Sequence, residues 1–169
     1  MPVREIRKYP DPVLKKKAAE VTRFDEELKQ LVQDMVETMY AAPGVGLAAP
    51  QVGISKRIAV IDISSAEEKV PLIVLVNPSI LEADGTIEFE EGCLSVPDYT
   101  TKVKRAEKVK VHAHDHEGNL QQIDAEGILA IALQHEIDHL DGILLLDRIS
   151  PLKREFYKKR FKKQQKSAS

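Results

Sequence analysis

Cys93 is the only cysteine in 169 residues, so no disulfide can form within the chain, and nothing points to an oxidising, secreted setting. No apolar run approaches the ~20 residues that a membrane-spanning helix needs. The opening residues, Met1 to Lys8, lack the apolar core of a signal peptide, and the expected location is the cytoplasm. A strong charge of either sign is also missing. The net charge of −2 gives the whole molecule no pronounced pull toward nucleic acid or membrane. Internal repeats and long Pro-, Gly- or Ser-rich linkers are absent, and Tyr9-Pro10-Asp11-Pro12 reads as a rigid turn rather than a boundary. The composition that remains, 43% hydrophobic and 31% charged, is that of a globular protein. Its length suits one domain over 1–169, with a core that needs no cross-links.

Periodicity supplies the elements. Leu28, Leu31, Val32, Met35 and Met39 recur at helical spacing and predict a helix from about Asp25. Thr22 with Asp25 resembles a capping box, and Pro43-Gly44 is the stop. The middle reads as β-structure. Ile58 to Ile63 and Val70 to Val76 are apolar runs, the second ended by Asn77-Pro78. Ile80 to Ala83 and Thr86 to Glu90 flank a hairpin signal at Asp84-Gly85. Val109, Val111 and Ala113 alternate with polar residues, then turn at Gly118-Asn119 into Leu120 to Ile123. A second helix is predicted from about Asp124, as N-cap, to Leu140, closed by Gly142. It is apolar almost all round and therefore central and buried. Ser150-Pro151 opens a last helix. The expected class is α+β: antiparallel or mixed sheets around a central buried helix, with an N-terminal and a C-terminal helix.

That central helix carries His135-Glu136-Ile137-Asp138-His139, an HExxH sequence. Histidines four apart share a helix face, so both imidazoles can meet one metal ion, and Glu136 stands beside it to take and give protons. Buried structural histidines would be the plain alternative. An uncompensated Glu and two His in an apolar helix would be costly, which favours the metal. A hydrolytic site usually takes three protein ligands and leaves a position for water. The third could be a His, a carboxylate or the lone thiol Cys93, in Glu91-Gly92-Cys93-Leu94-Ser95. A lone Cys is more often a small buried hydrophobe. The small-residue run Gly44 to Gln51 reads as a loop ending the first helix. Gln51 there could donate to a developing oxyanion. Asp138 and Asp141 read as surface or capping charges. A buried ion pair of Glu91 with Arg105 would support the Cys93 segment.

Taken in order, Gly44 to Gln51, Glu91 to Ser95 and Gln134 to Gly142 resemble the three signature motifs of peptide deformylases: a GxGLAAxQ loop, an EGCLS segment and a QHExDHLxG helix. Tyr9 to Leu14 is similar to the family's N-terminal region, so the likeness runs from about Val3 to Leu152. The resemblance implies a metal-dependent hydrolase that removes the formyl group from the N-terminal methionine of new polypeptides. It implies Cys93, His135 and His139 as metal ligands and Glu136 as acid and base. Gln51 and the Leu94 N–H would meet the oxyanion, and Gly46 would bond the substrate backbone. Ferrous iron is the implied metal, with zinc, nickel or cobalt as substitutes. Ile128, Ile131 and Ala132 precede His135 on its own helix face. With Val45 and Phe89 they are the expected pocket for the methionine side chain. The family commonly carries an arginine shortly after this Cys segment. Asp98 to Lys102 has none, so contacts beyond the first substrate residue are not carried over.

From about 150 the chain turns basic. Lys153, Arg154, Lys158, Lys159, Arg160, Lys162, Lys163 and Lys166 face a single acid, Glu155. The bland reading is a solvated helix. The resemblance implies docking to the ribosome, in a monomeric enzyme. Two rival functions are an HExxH peptidase that cuts internal bonds and a catalytically silent ribosome- or RNA-binding module.

Overall fold

A computed structural model of the chain describes residues 3–64 and 69–168. Among these, the helices are α1 (Glu26–Ala41), α2 (Ile128–Leu140) and α3 (Pro151–Ala168). The strands are β1 (Gly46–Ala48), β2 (Ile58–Ile61), β3 (Ile73–Asp84), β4 (Ile87–Cys93), β5 (Val96–Arg105), β6 (Lys108–His114) and β7 (Leu120–Glu126). Five of them form one antiparallel sheet in the order β1-β2-β3-β6-β7, and β4-β5 form a separate antiparallel ribbon. The class is α+β, as expected.

β2 shows how the layers arise. Its four residues are all buried, and successive side chains point to opposite faces. Ala59 and Ile61 pack with Ala130, Leu133, Ile137 and Leu140 of α2. Ile58 and Val60 pack with Leu28, Leu31, Val32, Met35 and Met39 of α1. The large sheet thus separates the two helices. α2 has the sheet on one side and the β4-β5 ribbon on the other, joined to it by Arg105–Asp138 and Glu91–His135 contacts. This is why α2 is apolar on so much of its circumference.

Several local expectations are corrected. Asp25 itself caps α1, its carboxylate accepting from the Leu28 N–H at 3.0 Å, and Thr22 takes no part in that bond. β3 does not end at Asn77-Pro78. The ladder to β6 slips between Val76 and Ser79, which accommodates a proline without an N–H. Asn77 sits there at φ 52, exchanging hydrogen bonds with the Val21 backbone at 2.8 and 2.9 Å. Asp84-Gly85 does not close a hairpin: β3 pairs with β2 and β6, whereas β4 pairs with β5. The turn passes the chain from sheet to ribbon. Asp124 does not cap α2. It lies in β7 opposite Lys110, and the helix starts after Gly127, whose φ of 65 makes the sharp change of direction. Gly44 to Gln51 is not all loop, since Gly46–Ala48 is an edge strand. β5 was not legible because its inward residues include Thr101 and Arg105 beside Val103.

Candidate metal centre and its cleft

Two elements converge on one point. α2 presents His135 and His139 one turn apart, with their Nε2 atoms 3.2 Å from each other. The end of β4 brings Cys93, whose Sγ lies 3.3 Å from His139 Nε2. The candidate ligand atoms of Cys93, His135 and His139 all fall within 4.8 Å of one another. One soft thiolate and two imidazoles suit a divalent transition metal in a tetrahedral site with a position left for water. Burial pushes the Cys93 thiol up, but His139 and His135 reverse this by charge and hydrogen bonding. Its pKa ends well below the ordinary value, which favours the thiolate, the form that binds metal.

The support around these donors is polar and buried. Glu91 accepts from His135 Nδ1 at 3.1 Å, which orients the ring and leaves Nε2 toward the other ligands. Both Glu91 oxygens also bind the Arg105 guanidinium, at 2.7 and 2.8 Å, and Arg105 Nη1 reaches Asp138 at 2.8 Å. Arg148 closes the chain of charges on Asp138, at 2.7 and 3.0 Å. Burial works against Glu91 ionising, yet His135 and Arg105 outweigh it and hold its carboxyl below the usual range. The expected Glu91–Arg105 pair is present. Asp138, expected at the surface, is buried instead, because Arg105 and Arg148 neutralise it. A charge in so apolar a helix was itself a signal that partners exist. Asp141 ends α2 and pairs with Arg57 at 3.0 Å, and Arg57 also donates to the Leu140 carbonyl.

Glu136 is buried, and among the described residues its Oε1 has no hydrogen-bond partner. Burial raises its pKa above the ordinary carboxylate value, against the pull of His135 and His139. A carboxyl shifted upward in this way is a better proton acceptor than an ordinary one, as an acid–base group requires. Gly46 lies against it. Gln51 is nearly inaccessible, its Oε1 accepting from the Ala48 N–H at 2.9 Å. Its Nε2 donates to Ser95 Oγ at 3.1 Å and stands 3.7 Å from Cys93 Sγ.

These groups open into a cleft of about 1210 Å³. Val45, Phe89, Ile128, Ile131 and Ala132, the predicted pocket residues, line it together with Gly46, Gln51, Cys93, Leu94, His135 and Glu136. Val45, Phe89 and Ile128 are large apolar side chains left exposed, while Ile131 and Ala132 form a buried part of the wall. Segments that the sequence reading passed over also line it, notably Arg4 to Lys8 and Tyr99.

An HExxH helix backed by a sheet and completed by a thiolate on a neighbouring ribbon is the framework of a metal-dependent hydrolase. Comparison with known proteins narrows the class. The model of the polypeptide deformylase family matches residues 3–155. A peptide deformylase of Thermodesulfovibrio yellowstonii is 56% identical over 96% of this chain and 98% of its own length. The crystal structure of a peptide deformylase from Legionella pneumophila superposes with a TM-score of 0.89 at 51% identity, covering 96% of this chain and 97% of that one. Another from Ehrlichia chaffeensis, in complex with actinonin, gives 0.90 at 40% identity over 97% and 98%. The chain belongs to the polypeptide deformylase family, as the sequence motifs implied, and is an enzyme.

Proposed function

We propose that the enzyme hydrolyses the N-terminal formyl amide of formyl-methionyl peptides, releasing formate and a free α-amino terminus. The carrying observation is the convergence of Cys93, His135 and His139 at the base of an apolar cleft that also holds Glu136. A divalent ion held by these three residues would supply a Lewis acid, lowering the pKa of water and polarising the formyl carbonyl. Glu136 takes a proton from the attacking water as its oxygen bonds to the formyl carbon. It returns that proton to the amine nitrogen as the C–N bond breaks. Gln51 Nε2 is shared between Ser95 Oγ at 3.1 Å and Cys93 Sγ at 3.7 Å, and from beside the thiol it would turn a hydrogen to the oxyanion, alongside the Leu94 N–H. Gly46, on an edge strand, offers its backbone to the substrate chain. Val45, Phe89, Ile128, Ile131 and Ala132 receive the methionine side chain. Actinonin, bound by the Ehrlichia relative, is expected to occupy the same cleft.

Ferrous iron is the metal this reading favours, with zinc, nickel or cobalt able to replace it. The chain acts as one catalytic domain, a cytoplasmic monomer whose substrates are nascent chains. α3 carries the means to meet them at the ribosome, since Lys153, Lys159, Arg160, Lys162 and Lys163 are exposed along it. The side chain of Lys166 lies outside the described residues.

The test is formate release from a formyl-Met peptide by protein purified and assayed without oxygen, with metal analysis of the same sample. Release that vanishes in Glu136→Ala at unchanged metal content supports the reading. Iron-loaded, folded protein that releases no formate, or that cuts unformylated peptides instead, rejects it.

A further inference from the structure

The β4-β5 ribbon is irregular at the turn that carries Cys93. The β4-β5 ladder slips between Gly92 and Cys93, and Cys93 pairs directly across a tight turn with Val96. That turn bears the Cys93 thiolate, the Leu94 N–H and the Ser95 hydroxyl that holds Gln51. Besides the bond from Gln51 and the packing of Leu146 and Ile149, segments near both ends of the chain support it. The Tyr9 N–H donates to the Ser95 carbonyl at 2.8 Å. The Tyr9 ring in turn lies edge-on to Tyr157 at 5.7 Å and to Phe161 at 5.3 Å, both on α3. Tyr157 also sits 4.9 Å from Tyr99, in β5 just beyond the turn. Tyr157 and fully buried Val96 belong to one apolar cluster, against which Cys93 itself packs. α3 therefore has two faces: exposed lysines outside, and an aromatic grip on the metal-binding turn inside.

We propose that Tyr157 is a positioning residue for the hydrolytic reaction. Through Tyr9 and Tyr99 it fixes the Cys93–Val96 turn, so that α3 governs metal retention and the placement of the oxyanion donors. The inference rests on the reading of Cys93 as a metal ligand. Rings packed at these distances prefer a defined edge-to-face geometry, which is what a support needs to restrain a turn. Losing a group hydrogen-bonded directly to a ligand costs about 10- to 100-fold in metal affinity or activity, and support one contact further out is expected at the low end of that range.

The experiment uses the full chain loaded with cobalt, read by its thiolate-to-metal charge-transfer band, by the rate of cobalt loss to a chelator, and by steady-state kinetics. Tyr157→Ala should shift the band, lose cobalt about 10-fold faster and lower kcat by a similar factor at nearly constant KM. Tyr157→Phe, which keeps the ring against Tyr9 and Tyr99, should stay much nearer the wild type than Tyr157→Ala in all three. Phe156→Ala, which removes an exposed ring elsewhere on α3, should match the wild type. Should Tyr157→Ala fail to fold, Phe161→Ala takes its place, removing one of the two α3 rings on Tyr9, with the same changes in smaller degree. A folded variant lacking the ring whose band, cobalt loss and kcat equal the wild type overturns the proposal. A wild-type protein that binds cobalt without a thiolate band removes the ligand reading, and the proposal with it.

Discussion

Gly46 stands so close to Glu136 that a Cβ added there would lie 2.9 Å from the carboxylate's Cδ. The edge strand β1 and the HExxH helix meet at this point with no space for a side chain. The glycine lets the β1 backbone approach Glu136, the residue proposed as acid and base, and no flexibility argument is needed to explain it.

Gly46→Ala should therefore move Glu136 with little effect on the fold. A displacement of about 1 Å at a reacting group costs on the order of 100-fold in rate. Steady-state kinetics should show that loss chiefly in kcat, with metal content and thermal midpoint near the wild type. An unchanged kcat would mean that Glu136 need not sit where the structure has it.

Arg105 is the hub of the buried charges, bridging Glu91 and Asp138. Arg105→Met would leave two carboxylates in the interior with only His135 and Arg148 to answer them. Breaking such a network by removing one partner typically costs about 3–5 kcal/mol. Urea unfolding should report a loss of this size, and metal should dissociate faster because Glu91, no longer anchored by the arginine, holds His135 less firmly. A loss below about 1 kcal/mol would show that the carboxylates are adequately solvated without the arginine.

Acid should act through Asp34 on the far side of the sheet. The Gln30 amide at 2.9 Å and the Arg4 guanidinium at 2.9 and 3.1 Å hold its carboxyl below the ordinary value, although burial opposes them. A lowered folded-state pKa means stabilisation that is present above the unfolded value of about 3.9 and lost as pH falls through the folded value. The difference in urea midpoint between wild type and Asp34→Asn should be constant from neutral pH to mild acid. It should shrink below about pH 4. A difference that persists unchanged to lower pH would contradict the ionic origin.

Ribosome binding should depend on salt. Lys159 and Lys162 are exposed on α3. Replacing both with Ala should reduce the slope of log affinity against log salt by about 2, measured by co-sedimentation, with small-peptide turnover unaffected. Binding indifferent to salt would remove α3 as the docking element.

The sequence by itself determined the family, the two histidines and their glutamate, the extent of α1 and the start of α3. It could do so because each depends on neighbours along the chain: helical spacing sets His135 beside His139, Asp25 caps the turn that follows it, and Ser150-Pro151 starts a helix. Cys93 became legible as a candidate third ligand only through the ordered motifs, since a lone cysteine resembles any buried hydrophobe. Tertiary structure alone decided the rest. The turn at Asp84-Gly85 has the chemistry of a hairpin, yet the partner of β3 is β6, some two dozen residues away, and local signals cannot choose between them. β5 stayed hidden because its inward Arg105 is neutralised by Glu91 and Asp138 from other elements. Asp138 looked like a surface charge for the same reason. Whether a charge is buried depends on which partners the fold brings to it, and those partners are distant in sequence.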